Sequence, residues 1–254
     1  MRVVLTRPAQ DAVRWSAELV TRGHQVLSLP LIEIAPVADG RPVREAWARL
    51  PAYQAVMFVS ANAVLHFQAA SQGASWSATT QAWATGPGTA AALREALVPD
   101  SLVREPAADA AQFDSEALWA RVGAQVRPGW CVLVVRGAGQ DGAATGRDWL
   151  VRQLQDAGAH ADQVAAYVRI RPRWTDAERA LARQAAGDGS VWVFSSSQAL
   201  ANLQALLPGQ DWSSARALAT HVRIAEAARQ AGFGVARLAR GDLDAVARAL
   251  ESFG

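Results

Sequence analysis

The chain nearly repeats itself. The segment FVSANAV, beginning at Phe58, recurs as FSSSQAL from Phe194, 136 residues on. ATGPGTAAALREAL, from Ala84, recurs as ATHVRIAEAARQAG from Ala219, 135 residues on. LVTRGHQV sets Leu19 and Gly23 opposite Leu154 and Gly158 of LQDAGAHA, again 135 apart. IAP at Ile34 matches IRP at Ile170 at a spacing of 136, and VLTR from Val4 and LVVR from Leu133 open the two copies. Any one match is weak. Several in one order at one offset point to an ancient duplication. A duplicated chain of 254 residues is expected to fold as two like domains.

Each copy alternates short apolar runs with amphipathic helix patterns. In the first copy the runs are 3–5, 26–34, 55–59, 82–84 and 101–103, with helix patterns over 10–22, 42–50, 61–72, 88–97 and 114–122. In the second the runs are 130–135, 161–168, 191–194, 215–219 and 235–238, with helices over 147–157, 175–186, 197–207, 222–231 and 242–251. This spacing predicts an α/β fold of two similar doubly wound domains, each a parallel sheet covered on both faces. Gly23, Gly158 and Gly232 each follow a helix pattern and precede an apolar run, the place of a helix-ending glycine. In such folds ligands bind beyond the carboxyl ends of the strands, here the loops 6–8, 60–62, 85–89, 136–146, 195–198 and 220–223. A cleft between the domains is the expected site.

Composition removes several function classes. A net charge of +2 offers no basic field for nucleic acid. Every basic residue is arginine, which excludes a Schiff-base lysine and a P-loop lysine. Cys131 is the one cysteine and lies in the apolar run CVLVV, so it reads as core, and no disulfide framework is possible. His24, His66, His160 and His221 show no metal-ligand spacing, and no metal is expected. No apolar run approaches the ~20 residues of a membrane span. The N-terminus enters RVVLTRP without a signal-peptide pattern, so a cytoplasmic protein is expected.

Several residues carry two readings. Ser60 and Asn62 stand at a strand end before a helix, as cap residues do, and FSSSQAL gives Ser195 and Ser197 the same reading. A capped helix start can still offer N–H groups to a carboxylate. Ser60 has no base near it in sequence, and the G-x-S-x-G elbow is absent. Gly86 and Gly88 form a strand–turn–helix junction, but Ala91 stands where a dinucleotide fingerprint needs a third glycine. RGAGQDGAATGRDWL reads as a long loop over a cleft. Its flanking Arg136 and Arg147 are either solvated or bidentate carboxylate ligands. Tyr167 ends the run DQVAAYV and is either interface packing or a proton or hydrogen-bond donor.

Taken in order, VVLTRP, VMFVSANAVLHF, ATGPGTAAALREAL, VLVVRG with GRDWLVRQLQDAGAHADQVAAYVR, VWVFSSSQAL and IAEAARQAGF resemble the uroporphyrinogen-III synthase family over nearly the whole chain. The resemblance implies a chain exchange between the copies. The domains would be 1–35 with 170–254, and 36–169, joined by extended linker strands in IEIAPV and YVRIRP. It implies a lyase without cofactor or metal. Such an enzyme closes hydroxymethylbilane, a linear tetrapyrrole rich in carboxylates, with loss of water and inversion of ring D, the usual proposed intermediate being a spiro-pyrrolenine. Tyr167 is then the candidate for assisting hydroxide departure. Thr89, Ser60, Ser195 and Arg7 match substrate-facing positions of the family, with Gly86, Gly88, Arg136 and Arg147 as further carboxylate-binding candidates. One departure stands out. Arg223 and Ile224 occupy the place where many members carry threonines of a second glycine turn, so no hydroxyl contact is expected there, and Arg223 becomes a candidate carboxylate partner. The implied partner is the small-molecule substrate, with no nucleic acid and no membrane. The protein would be a monomer, with transient contact with the preceding pathway enzyme. The alternative is a non-catalytic two-domain binding protein for an anionic small molecule.

Overall fold

A computed structural model describes residues 1–139 and 149–253. In chain order the elements are β1 (Arg2–Leu5), α1 (Ala9–Thr21), β2 (Gln25–Ser28), β3 (Glu33–Pro36), α2 (Arg41–Ala48), β4 (Ala55–Phe58), α3 (Ala61–Ala69), β5 (Gln81–Ala84), α4 (Pro87–Glu95), β6 (Val103–Arg104) and α5 (Ser115–Val122). Then follow β7 (Cys131–Ala138), α6 (Trp149–Asp156), β8 (His160–Ile170), α7 (Asp176–Gly187), β9 (Val191–Phe194), α8 (Ser197–Leu206), β10 (Arg216–Ala219), α9 (Val222–Gln230), β11 (Val235–Leu238) and α10 (Leu243–Glu251).

The chain divides into two compact units, Met1–Glu33 with Ile170–Gly254, and Ile34–Arg169. The sheet of the first runs β11-β10-β9-β1-β2, and that of the second β3-β8-β7-β4-β5-β6. Read from the other edge, β6-β5-β4-β7-β8 repeats the first order, and β3 is an added edge strand. The strand pairs β1–β2, β1–β9, β9–β10 and β10–β11 are parallel, as are β4–β5, β4–β7, β5–β6 and β7–β8. Helices supply the crossovers that parallel strands require.

Alternation along the strands builds two cores per sheet. In the second unit Val56, Phe58, Ala82, Ala84, Leu133 and Val135 pack against Trp47, Phe67 and Leu93 of α2, α3 and α4. The intervening Ala55, Met57, Trp83, Val132 and Val134 pack against Leu118, Val122, Leu150 and Leu154 of α5 and α6. In the first unit Val3, Leu5, Val191, Val193 and Leu218 meet Leu19 of α1 and Val246 and Leu250 of α10. Trp192 and Phe194 point the other way, into an aromatic group with Trp212 and Phe233 whose centroids lie 5.1–6.4 Å apart. Burying each large side chain contributes about 1.5–3 kcal/mol.

Two expected strands come out differently. The run 26–34 is two strands, β2 and β3, broken at 29–32. Pro30 has no N–H to give a ladder. Leu29 and Leu31 bond instead to the carbonyls of Leu5 and Thr6. Trp174 Nε1 and Asn202 Nδ2 donate to the carbonyls of Pro30 and Leu31. The run 101–103 is mostly a tight 3-10 turn, Asp100–Leu102, leaving the two-residue β6.

Helices α1, α6 and α9 end as expected at Gly23, Gly158 and Gly232, with φ of 84°, 77° and 95°. Each closes with the paired bonds of a Schellman motif, for example Gly232 N–H to Arg229 and Phe233 N–H to Ala228. Helix α4 closes identically, through Leu97 N–H to Arg94 and Val98 N–H to Leu93. Leu97 therefore sits at φ 61°, 135 residues before Gly232 and at its place in the duplication. Its side chain is 87% exposed and gains little from packing. Leu97→Gly relieves the left-handed backbone and is expected to raise stability by about 0.5–1 kcal/mol, roughly 2–4 °C in Tm. Thermal unfolding of the two proteins measures this, and an unchanged or lower Tm would contradict it.

Candidate functional site

In the second unit the carboxyl ends of β4, β5 and β8 gather the hydroxyls. Ser60 follows β4 in extended backbone and caps α3, its Oγ accepting from Ala63 N–H at 3.2 Å. The same Oγ lies 3.0 Å from Tyr167 Oη, joining residues 107 apart in sequence. Tyr167 is buried, and the His66 ring stacks on it with centroids 5.7 Å apart. Thr85 Oγ1 donates to the carbonyl of Val59 at 3.2 Å, tying the end of β5 to that of β4. Gly86 caps α4 without a side-chain bond, Pro87 occupies its first turn, and the first turn is left open at Gly88. A Cβ on Gly86 would lie 3.1 Å from that of Phe113, whereas Gly88 faces open space. Thr89 is buried beneath this turn, its N–H bonded to the Gly86 carbonyl. Arg136 lies near the end of β7, buried, and donates from Nη1 to Gln163 Oε1 at 2.6 Å. Arg147 and most of the long loop lie outside the described residues.

In the first unit the corresponding strand ends belong to β1, β9 and β10. Thr6 Oγ1 donates to the Val193 carbonyl at 2.7 Å and locks β1 to β9. The next residue, Arg7, holds its guanidinium 3.6 Å above the Trp15 ring. Its Nε is buried without a hydrogen-bond partner, and burial pulls its pKa down to about 10. The group stays cationic at neutral pH, poorly solvated and suited to an anion.

The cap of α8 corrects the sequence reading. It is Ser196, whose Oγ accepts from Gln198 N–H at 3.2 Å, and not Ser195 or Ser197. Ser196 has the extended backbone of a cap, Ser195 precedes it, and Ser197 is already helical. The repeat carried the signal, since Ser196 lies 136 residues after Ser60. Helix α9 has an imidazole cap that sequence reasoning missed. His221 Nδ1 accepts from Arg223 N–H at 3.2 Å, and Arg223 Nη2 lies 3.4 Å from His221 Nε2. His66 and Thr85 were also missed, because nothing local marks a helix histidine or a turn threonine as facing a strand end.

The sequence model described as uroporphyrinogen-III synthase HemD matches residues 13–243. The chain belongs to the uroporphyrinogen-III synthase family. This membership places it in tetrapyrrole biosynthesis. Its fold is that of solved synthases from two bacteria. The uroporphyrinogen-III synthetase of Helicobacter pylori is 15% identical, with 100% of both chains covered and a TM-score of 0.60. A triple mutant of the Thermus thermophilus synthase is 16% identical, covering 100% of this chain and 98% of that one, with a TM-score of 0.57. Among the described residues no helix is long and apolar enough to cross a membrane.

Two measurements test the local chemistry of this synthase-family site. Ser196→Ala should cost about 1 kcal/mol by removing a cap, and Ser195→Ala much less. Equal losses in denaturant titrations would contradict the cap assignment. Burial holds the His66 pKa below its ordinary value of 6.5. The unfolded chain therefore takes up the proton first as pH falls, so the contribution of His66 is intact above 6.5 and is lost progressively below it. His66→Gln should flatten the fall of stability as pH drops from about 6.5 to about 5.5, and parallel pH curves for the two proteins would contradict this.

Proposed function

We propose that the chain is a cofactor-independent hydro-lyase that closes hydroxymethylbilane to uroporphyrinogen III with loss of water and inversion of ring D. The observation that carries this reading is the family match over residues 13–243. The reaction needs little from the protein besides orientation and one proton. Electrons from the pyrrole nitrogen expel the hydroxyl of the hydroxymethyl group, which leaves as water once protonated. The remaining task is to hold a flexible, polyanionic chain so that direct closure without inversion is excluded.

The strand-end groups suit those tasks. Ser60 Oγ already accepts the Ala63 N–H, and when it donates its own proton to Tyr167 Oη the phenol proton is released for the departing hydroxyl. The proton lost as ring D regains aromaticity restores the phenol. Substrate carboxylates are met by Arg7, by the open first turn of α4 around Gly88 and Thr89, and by the loops at Ser60 and Ser195. Arg136 belongs to the same set. Its bond to Gln163 lets it serve by fixing the end of β7 as well as by charge.

The test is product analysis with enzymatically generated hydroxymethylbilane. Uroporphyrinogen III is expected, and type I isomer alone at the uncatalysed rate would sink the reading. Tyr167→Phe should lower turnover by about 10²-fold. Arg7→Ala should raise KM by about 10-fold through loss of a charge-assisted contact. An unchanged KM in Arg7→Ala would remove Arg7 from the substrate site.

A further inference from the structure

The pairing of β7 with β8 is interrupted once. Arg136 pairs with Ala165, but Gly137 pairs with Tyr167, so Ala166 is an extra residue in β8. A bulge re-aims the side chains that follow it. Before it, burial alternates, with Val164 buried and Ala165 less so. After it, Ala166 and Tyr167 are buried in succession, in one core with Ala63, Val64 and Phe67 of α3. The bulge thus turns Tyr167 onto the α3 face, where Ser60 and His66 stand.

That turn demands room on β7. A Cβ built on Gly137 would meet Tyr167 Cε2 and Cζ at 2.7 Å and Oη at 3.0 Å, closer than real Cβ contacts allow. The ring's edge can lie against the β7 backbone only because residue 137 lacks a side chain. The His66 ring lies over the phenol at an interplanar angle of 27°. Three contacts therefore converge on one aromatic side chain, from β7, from the middle of α3 and from its cap.

We propose that Gly137 and His66 are positioning residues, which together with the Ala166 bulge hold the Tyr167 hydroxyl at Ser60 for proton delivery. This deepens the reading of Tyr167 as the acid and rests on it for its effect on turnover. The seat can also be read without turnover. The chain has two tyrosines, so in a Tyr53→Phe background a ring-¹³C tyrosine label reports on Tyr167 alone.

His66→Ala and Gly137→Ala should each move that signal, and His66→Phe, which keeps a stacked ring, should return it toward the parent position. In parallel, kcat should fall about 10- to 100-fold in His66→Ala and Gly137→Ala with KM little changed, and recover in His66→Phe. In a Tyr167→Ala background, Gly137→Ala should have no further effect on kcat or on stability. A signal unmoved in both His66→Ala and Gly137→Ala would overturn the proposal, as would a Gly137→Ala loss that persists without the Tyr167 ring. If Gly137→Ala does not fold, the His66→Ala and His66→Phe pair decides alone. Should the signal move as expected while Tyr167→Phe keeps full turnover, the seat stands and the catalytic reading of Tyr167 fails.

Discussion

A parallel strand buried on both faces has to be paired along both edges and covered above and below, and each sheet here is organised around such a strand. Val3, Val4 and Leu5 of β1 are fully buried, as are Val132 and Val135 of β7, with Leu133 and Val134 nearly so. An unpaired backbone group at that depth costs about as much as a lost hydrogen bond. β1 meets the demand with β2 on one side and β9 on the other, and β7 with β8 and β4. All the strand-end chemistry follows from these pairings. They bring Thr6 beside Val193, and Ser60 and Thr85 to the same edge as Tyr167.

On two sheets of the same strand order the copies have diverged at their ends. Ser60 and Ser196 keep the same cap at a spacing of 136 residues. Gly86 and His221, 135 apart, do not: one leaves α4 without a side-chain cap, the other closes α9 with an imidazole. The strand-end arginines of VLTR and LVVR have also parted. Arg7 lies over Trp15 with Nε unbonded, while Arg136 is tied to Gln163. An open helix start and a poorly solvated cation invite an anion, whereas a capped start and a bonded arginine serve the fold.

Much of the fold was legible because period and punctuation are local. Helix patterns and strand runs fell on the observed elements, and the three helix-ending glycines sit at left-handed backbone. The run 26–34 misled because apolar character alone does not separate a strand from a buried crossing, and Pro30 was the overlooked mark. At the site, Ser60 was legible as a cap. Its bond to Tyr167 was not, since nothing local relates residues 107 apart. Ser195 was chosen where Ser196 acts, because three adjacent serines are alike in type and only backbone conformation tells the cap from its neighbours.

By itself the sequence determined the duplicated α/β pattern, the absence of lysine and cysteine chemistry, and the family, because these depend on residue type and on order along the chain. The tertiary structure decided which strands lie side by side, that Leu97 takes a glycine's place, and that a one-residue bulge in β8 delivers Tyr167 to Ser60 and His66. A single inserted residue reverses the face to which every following side chain points, and its presence depends on the partner strand's register, which no local pattern encodes.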